Sequence, residues 1–292
     1  MELKVASVED LPTIYGAVHD VWPHDPDLDE HIRQRLASAK HQFARWYMLT
    51  EGGELKSSLG MFPTQFWVKG DVKEGFGIGS VHTPPAQRGN GYCSQMMKLV
   101  LDELAKEGRG IGVLYSDIAP EFYRRLGFHI CPGAEFSEVV SEFTGVAEAA
   151  FEPVSPSAYR SIYKQNLGTL DLGIERSEEY WAWLERRSPL SHTMRLKGAG
   201  GDLAYAWLKV DGESLLVLDL LVIDPHQSTL IRGALLSWAQ SKHVKKVEGW
   251  LPQALVGSQV WNQTERSKAI TMTFGILPED HKVQEFHMND HV

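Results

Sequence analysis

The stretch that decides the fold runs from Gly77 to Phe128, GIGSVHTPPAQRGNGYCSQMMKLVLDELAKEGRGIGVLYSDIAPEFYRRLGF. Ile78, Val81 and Thr83 are strand-type residues. Pro84 and Pro85 end that strand, because neither has an N–H to give to a ladder. Arg88-Gly89-Asn90-Gly91 then leads straight into a helix. Met96, Met97, Val100, Leu101 and Leu104 recur at helical spacing and make one face apolar. Gly108 and Gly110 close the helix, Ile111 to Leu114 form a short apolar strand, and a second short helix follows.

The chemistry of this stretch lies at its turn. Glycines at 89 and 91 remove the Cβ barrier to left-handed backbone, so successive N–H groups can converge on one anion. The helix start adds free donors and roughly half a positive charge. A pyrophosphate fits such a cradle. No Lys-Ser/Thr follows the glycines, which excludes a Walker A loop, and the glycine spacing does not match a dinucleotide fingerprint.

RGNGYC at Arg88 to Cys93 resembles the acyl-CoA loop of the GNAT superfamily of N-acetyltransferases, Arg/Gln-x-x-Gly-x-Gly/Ala, with Cys93 in the last small position. APEFYRRLGF at Ala119 to Phe128 is similar to the second signature of that superfamily, a helix ending in Phe-Tyr-x-x-x-Gly-Phe. The two stand in order with a strand between them. HTPPAQRGNGY followed by LYSDIAPEFYRRLGF looks closest to the fungal lysine N-acetyltransferase branch. The first half is covered well and the second in outline.

The resemblance implies an α/β (α+β) GNAT fold with a mixed central sheet, and acetyl-CoA as cosubstrate. It implies that Arg88, Gly89, Asn90, Gly91, Tyr92, Cys93 and Ser94 hold the cofactor's phosphates. It implies that the backbone of Val81, His82 and Thr83 meets the pantetheine arm and polarises the thioester carbonyl. Tyr123 would protonate the departing thiolate, since a phenol with a pKa of about 10 suits that task; the alternative is a core aromatic with a wet hydroxyl. The base that receives the amine's proton is open among His82, Asp117 and Glu74. His82 points to the face opposite Val81 and Thr83, and Asp117 also reads as the cap of the helix after it. In the superfamily, the segment between the first two helices helps form the acceptor site. Here it carries Asp25 and Asp27 among His24, Asp29 and Glu30, which suits an amine; the competing reading is a solvated turn with ordinary helix-start acids.

Composition bounds the rest. The chain has 292 residues, 43% hydrophobic residues and nine Trp, enough for two sizeable cores. A formal net charge of −9 argues against nucleic acid as a partner and favours cationic ones, a small-molecule amine among them; the alternative is that it serves solubility alone. Cys93 and Cys131 are not spaced as CxxC and propose no disulfide framework, as in a reducing compartment. No apolar run approaches the roughly 20 residues of a membrane span, and MELKVASVEDL has no signal-peptide core. A cytoplasmic, membrane-free enzyme is expected, with no metal constellation.

Taken in order, Leu3 to Ala6 reads as a strand, Ser7 as the cap of a helix from Val8 to His19, and Asp29 to Ala39 as a second helix. Strands follow at Arg45–Thr50 and Leu55–Lys69, joined through Gly52-Gly53, with Pro63 marking a bulge or an edge. Phe136–Val140 is another strand, and Phe151–Pro156 a linker. Ala158–Leu167 and Ser177–Arg187 read as helices. Leu203–Val210 and Ser214–Ile223 form a hairpin around Asp211-Gly212. Then strand Leu216–Val222, Pro225, helix Thr229–Lys242 and strand Val244–Trp250 repeat the order of the first half without its glycine pair. We therefore expect a GNAT domain over 1–150 and a degenerate GNAT-like domain over 151–292. From Leu251 onward no motif is legible. The expected function is acetyl-CoA-dependent N-acetylation of a primary amine on an amino acid, polyamine, amino sugar or aminoglycoside; the alternative is a non-catalytic acyl-CoA- or ligand-binding protein of the same fold.

Overall fold

The computed structural model describes residues 1–145, 149–281 and 283–292. The first part of the chain runs β1 (Glu2–Val5), α1 (Leu11–Ala17), α2 (Leu28–Ala37), α3 (Ala39–Phe43), β2 (Arg45–Glu51), β3 (Glu54–Val68), β4 (Asp71–His82), α4 (Tyr92–Lys106), β5 (Ile111–Ser116), α5 (Glu121–Arg124), β6 (Phe128–Ile130) and β7 (Ala134–Val139). The second runs β8 (Phe151–Pro153), α6 (Pro156–Leu167), β9 (Leu172–Glu175), α7 (Glu178–Arg187), β10 (His192–Gly198), β11 (Gly201–Asp211), β12 (Ser214–Val222), α8 (Ser228–Ser241), β13 (Lys246–Leu251), β14 (Gln263–Glu265) and β15 (Ile270–Phe274).

The strands form two mixed sheets. The first has the order β1-β2-β3-β4-β5-β15-β6, with β9 added to the far end of β3; the second has the order β14-β7-β13-β12-β11-β10-β8. In each sheet one neighbouring pair of these strands is parallel, β4 with β5 and β12 with β13. A helix crosses each pair, because parallel neighbours need a crossover. Both pairs part at a bulge. Ile78 is the last β4 residue paired with β5, and Ser80 and Val81 then stand against Leu59 alone on β3. Likewise Val217 is the last β12 residue paired with β13, and Leu218 is the extra residue opposite β11. The strand-proline-helix-strand order read twice in the sequence is thus built twice, down to the bulge.

Sequence position does not decide which sheet a strand joins. β7 lies in the second sheet, antiparallel to β13, and β15 lies in the first, between β5 and β6. Both sheets therefore cross the expected division at residue 150. The expected Phe151–Pro156 linker is partly strand, since β8 pairs with β10 at the second sheet's edge. Ser7 does not start a helix at Val8. Its N–H and hydroxyl donate to the Asp10 carboxylate, and α1 begins at Leu11 with Pro12 in its first turn, where a missing N–H costs nothing. Pro63 sits inside a long strand, in the gap between the β2 pairing that ends at Met61 and the β9 pairing that begins at Gln65.

Each helix over a parallel pair buries its apolar stripe. Met96, Met97, Val100, Leu101 and Leu104 of α4 pack with Phe76, Ile78, Leu114 and Met272. At about 1.5–3 kcal/mol for each large side chain, this stripe fixes α4 and hence the turn before it. A third cluster joins the sheets. Phe62, Phe66 and Tyr115 of the first meet Trp183, Trp207 and Trp250 of the second half. Behind it Arg176 is fully buried, bonded to both oxygens of Asp219 at 2.7 and 2.9 Å and to Asp290 at 2.9 Å.

Met272 belongs to β15 but is fully buried in the core under α4. Met272→Ala is expected to lower unfolding free energy by about 2–5 kcal/mol, and to do so by loosening the first sheet. Urea unfolding followed at the α4 core checks this, and a loss below about 1 kcal/mol would mean that β15 does not seal that core.

Candidate active site

The turn before α4 has the backbone its sequence demands. Gly89 and Gly91 adopt φ of +83° and +78°, and Gly91 caps the helix in the left-handed conformation. A Cβ on either would meet no protein atom within 4 Å, so the space beyond both is open. A cavity of about 190 Å³ lies there, lined by Thr83, Arg88, Gly89, Gly91, Cys93, Ser94 and Phe122 among others. Arg88 Nε donates to the Thr83 carbonyl at 3.1 Å, which ties the strand end to the turn. Asn90 does not point outward; its Nδ2 donates to the Gln87 carbonyl at 3.2 Å and shapes the turn. Tyr92 lies under the Lys56 ammonium, 5.6 Å from its ring centre.

A second, larger cavity of about 450 Å³ adjoins it. Its floor is the bulged part of β4 from Ile78 to Val81; Tyr115 and Asp117 close one side, and Tyr123 of α5 another. Neighbours along the chain line different cavities: Val81 and Tyr123 the larger, Thr83 and Phe122 the smaller. The two spaces therefore lie next to each other, on either side of β4 and α5. Here β4 has left β5, so its backbone is free on that side to bind an extended ligand.

Tyr123 is buried in the α4 core apart from its opening onto this cavity. Burial, and then Cys93 and Asp117 nearby, push its phenol well above the usual range, so it keeps its proton. Burial also raises the Cys93 thiol, which stays neutral. Asp117 lines the cavity but caps no helix. Its Oδ1 accepts from Ala269 N at 3.0 Å, a contact with the loop before β15.

The other expected residues lie elsewhere. His82 is buried, with its ring against Trp22 at 6.3 Å and neither ring nitrogen bonded among the described residues. Burial lowers its pKa, with Arg88 adding to the effect. Glu74 pairs with Arg109 at 3.1 Å at the opposite end of β4, too far along the strand to serve Tyr123. Asp25 and Asp27 do not line the acceptor cavity. Asp27 caps α2 by accepting from Glu30 N at 2.9 Å, and Asp25 accepts from Asp27 N in the turn before it.

The sequence reading missed the far wall. Arg35, Lys40 and His41 come from α2 and α3, Arg187 from α7, and His291 and Val292 from the segment without a legible motif. Burial holds His41 down to about 3 and His291 down to about 4, so both rings are neutral. Burial, with Arg187 and Arg35 beside it, lowers Lys40 to about 8. Among the described residues no cluster of His, Cys, Asp and Glu is placed to hold a metal ion.

The equivalent turn of the second half is built differently. Asp224 puts a carboxylate where an anion would bind, accepting from His226 N at 3.0 Å. Ser228 at the start of α8 is buried and takes the indole N–H of Trp261 at 2.8 Å.

Residues 2–131 match the family model of the acetyltransferase (GNAT) domain. The comparison with curated proteins finds no match. Among solved structures, the chain is similar to a probable N-acyltransferase from Enterococcus faecalis V583, at 17% identity and TM-score 0.69, over 93% of this chain and 72% of that one. It is similar to a GCN5-related N-acetyltransferase from Anabaena variabilis, at 16% identity and TM-score 0.68, over 93% and 72%. It is also similar to a tandem GNAT protein from the clavulanic acid biosynthesis pathway, at 11% identity and TM-score 0.55, over 94% and 99%. At these identities the structures speak for the fold. The family match covers residues 2–131, and with the N-acetyltransferase neighbours it supports an acyltransferase.

Gly91→Val brings a branched side chain into a left-handed position and into the open cavity. The strain alone is about 1–2 kcal/mol, so acetyl-CoA affinity should fall at least about tenfold. Calorimetry with the unaltered chain should find one equivalent bound, because the Asp224–Ser228 turn has no glycine and already holds a carboxylate. Unchanged affinity in the variant, or two equivalents in the parent, would contradict this placement.

Proposed function

We propose that the chain transfers the acetyl group of acetyl-CoA to a primary amine on a small molecule. The observation that carries this reading is the pair of neighbouring cavities. The glycine turn opens on one side of β4, a protonated Tyr123 on the other, and the bulged strand runs between them. An acyl-CoA with its pyrophosphate at Gly89 to Ser94 would lay its pantetheine arm along β4 and bring its thioester to Tyr123.

The reaction is then an addition and an elimination. The amine nitrogen bonds to the thioester carbon while a β4 N–H near Val81 holds the oxygen charge. The C–S bond breaks, and the sulfur leaves with the electron pair and takes the Tyr123 proton. The amine's proton must go to a base, and of the three candidates the acceptor cavity contains Asp117. An alkylammonium with pKa of about 10.4 costs roughly 4.6 kcal/mol to deprotonate at pH 7, so a carboxylate or a water chain to it has work to do. The resemblance to the fungal lysine branch places an amino acid among the acceptors to try.

The free thiols of Cys93 and Cys131 suit a reducing, cytoplasmic setting. No helix of the described residues is long and apolar enough to cross a membrane. The acidic chain suits neither nucleic acid nor an anionic membrane surface as a partner.

Free-thiol release from acetyl-CoA over a panel of amines tests the activity. Tyr123→Phe keeps the ring and removes the donor. Acetyl-CoA binding should stay nearly unchanged while kcat and kcat/KM both fall by about 10²–10⁴-fold. A folded variant that turns over within a few-fold of the parent would assign sulfur protonation to solvent. Tight acetyl-CoA binding with no thiol release for any amine would favour a non-catalytic binder.

A further inference from the structure

The acceptor cavity is lined by cations in a chain of net charge −9. Three charged side chains face it from three elements. Arg35 is buried, and its guanidinium is shared among His31, His41 and the Trp22 carbonyl, at 3.0, 2.7 and 2.7 Å. Arg187 donates only to backbone and amide oxygens of Asn289 and His291 and lies over the Trp183 ring. Lys40 makes no hydrogen bond or ion pair among the described residues; its ammonium lies over the Phe62 ring, 6.0 Å from the ring centre.

Among the described acidic side chains, one stands in the cavity wall against these three cations. Asp219 and Asp290, the acids near Arg187, are committed to Arg176. Asp25 and Asp27 face away. Asp117 is the one acid in the cavity wall, and it already accepts from Ala269 N. Gathering three like charges in a partly desolvated space is costly. Burial first, and then Arg187 and Arg35, lower the Lys40 pKa to about 8 against an opposing pull from Asp117. An anion placed among them would relieve that cost and gain charge-assisted hydrogen bonds.

We infer that the acceptor is an amine that also carries an anionic group, a carboxylate or a phosphate, held by Lys40 and Arg187 with Arg35 behind them. This rests on the acyl-transfer reading above and names the substrate class for the same site. Anchoring the anion on the cationic wall leaves the amine pointing to Tyr123 and Asp117 across the cavity. Polyamines and aminoglycosides, cationic throughout, are excluded by repulsion from the same wall.

Matched pairs of acceptors test this: lysine against cadaverine, which lacks only the carboxylate, and phosphorylated glucosamine against glucosamine. In each productive pair the anionic member should have the higher kcat/KM, by about 10- to 100-fold, the range expected for a charged hydrogen bond. The pair with the larger ratio tells carboxylate from phosphate. Lys40→Gln should raise KM for the anionic acceptor by a similar factor, with kcat and the KM for acetyl-CoA within a few-fold, and should collapse the ratio within the pair. Equal or better turnover of cadaverine and glucosamine would overturn the inference and leave acyl transfer standing. If no amine turns over, acyl transfer fails. The anion site is then read by thermal shift on CoA-saturated protein, whose glycine turn is already filled. Inorganic phosphate should raise Tm relative to chloride in the parent and not in Lys40→Gln, and no difference between the two proteins would sink the anion site by itself.

Discussion

The site depends on the parting of β4 from β5 beyond Ile78. A parallel pair normally continues its ladder, and unsatisfied strand edges are costly inside a protein. Here Gly79, left-handed Ser80 and the bulge at Val81 turn the strand away, and the space opened is the acceptor cavity. Glycine at 79 is required, because a Cβ there would lie 2.9 Å from the Val292 carbonyl oxygen. The same parting exposes backbone N–H groups to a ligand arriving from the glycine turn. One local irregularity therefore makes the floor of the larger cavity and frees a strip of β4 backbone beside the glycine turn.

What keeps the gap from closing is the exchange of strands between sheets. β15 seals the far side of β5, and the loop before it reaches Asp117 through Ala269. The chain then returns past Arg176, Asp219 and Asp290 to place His291 and Val292 in the cavity wall. A fully buried ion triad is a poor source of net stability but is severely upset by loss of one partner. Its effect here is geometric, since it fixes where the 286–292 segment can lie. The second half thus supplies part of the acceptor site, although its own turn before α8 is filled by a carboxylate and an indole.

The electrostatics of the site run against those of the chain. An acidic chain and an acid-rich segment at residues 24–30 suggested an acidic pocket for a cationic amine. Asp25 and Asp27 are taken up by local backbone, as short acidic side chains at helix starts usually are, and Glu30 by Arg33 and Gln34. The cations that replace them stand on α2 and α3 and, over 140 residues later, on α7, and meet only when the sheets close on each other.

The sequence by itself determined the strand-turn-helix-strand units, both hairpins at glycine turns, and the left-handed glycine turn that opens α4. These are local matters: spacing within one helix, a positive φ that glycine accepts, and prolines that cannot extend a ladder. It also marked Tyr123, because the signature around it is contiguous. It did not show that β7 and β15 change sheets, since a five-residue strand carries no label for its partner. Nor did it show which charges line the cavity, because side chains such as Lys40, Arg187 and His291 acquire a common environment only through packing. Tertiary structure decided those points, where the burial of the shared aromatic core outweighs any local preference about where strands and charges should go.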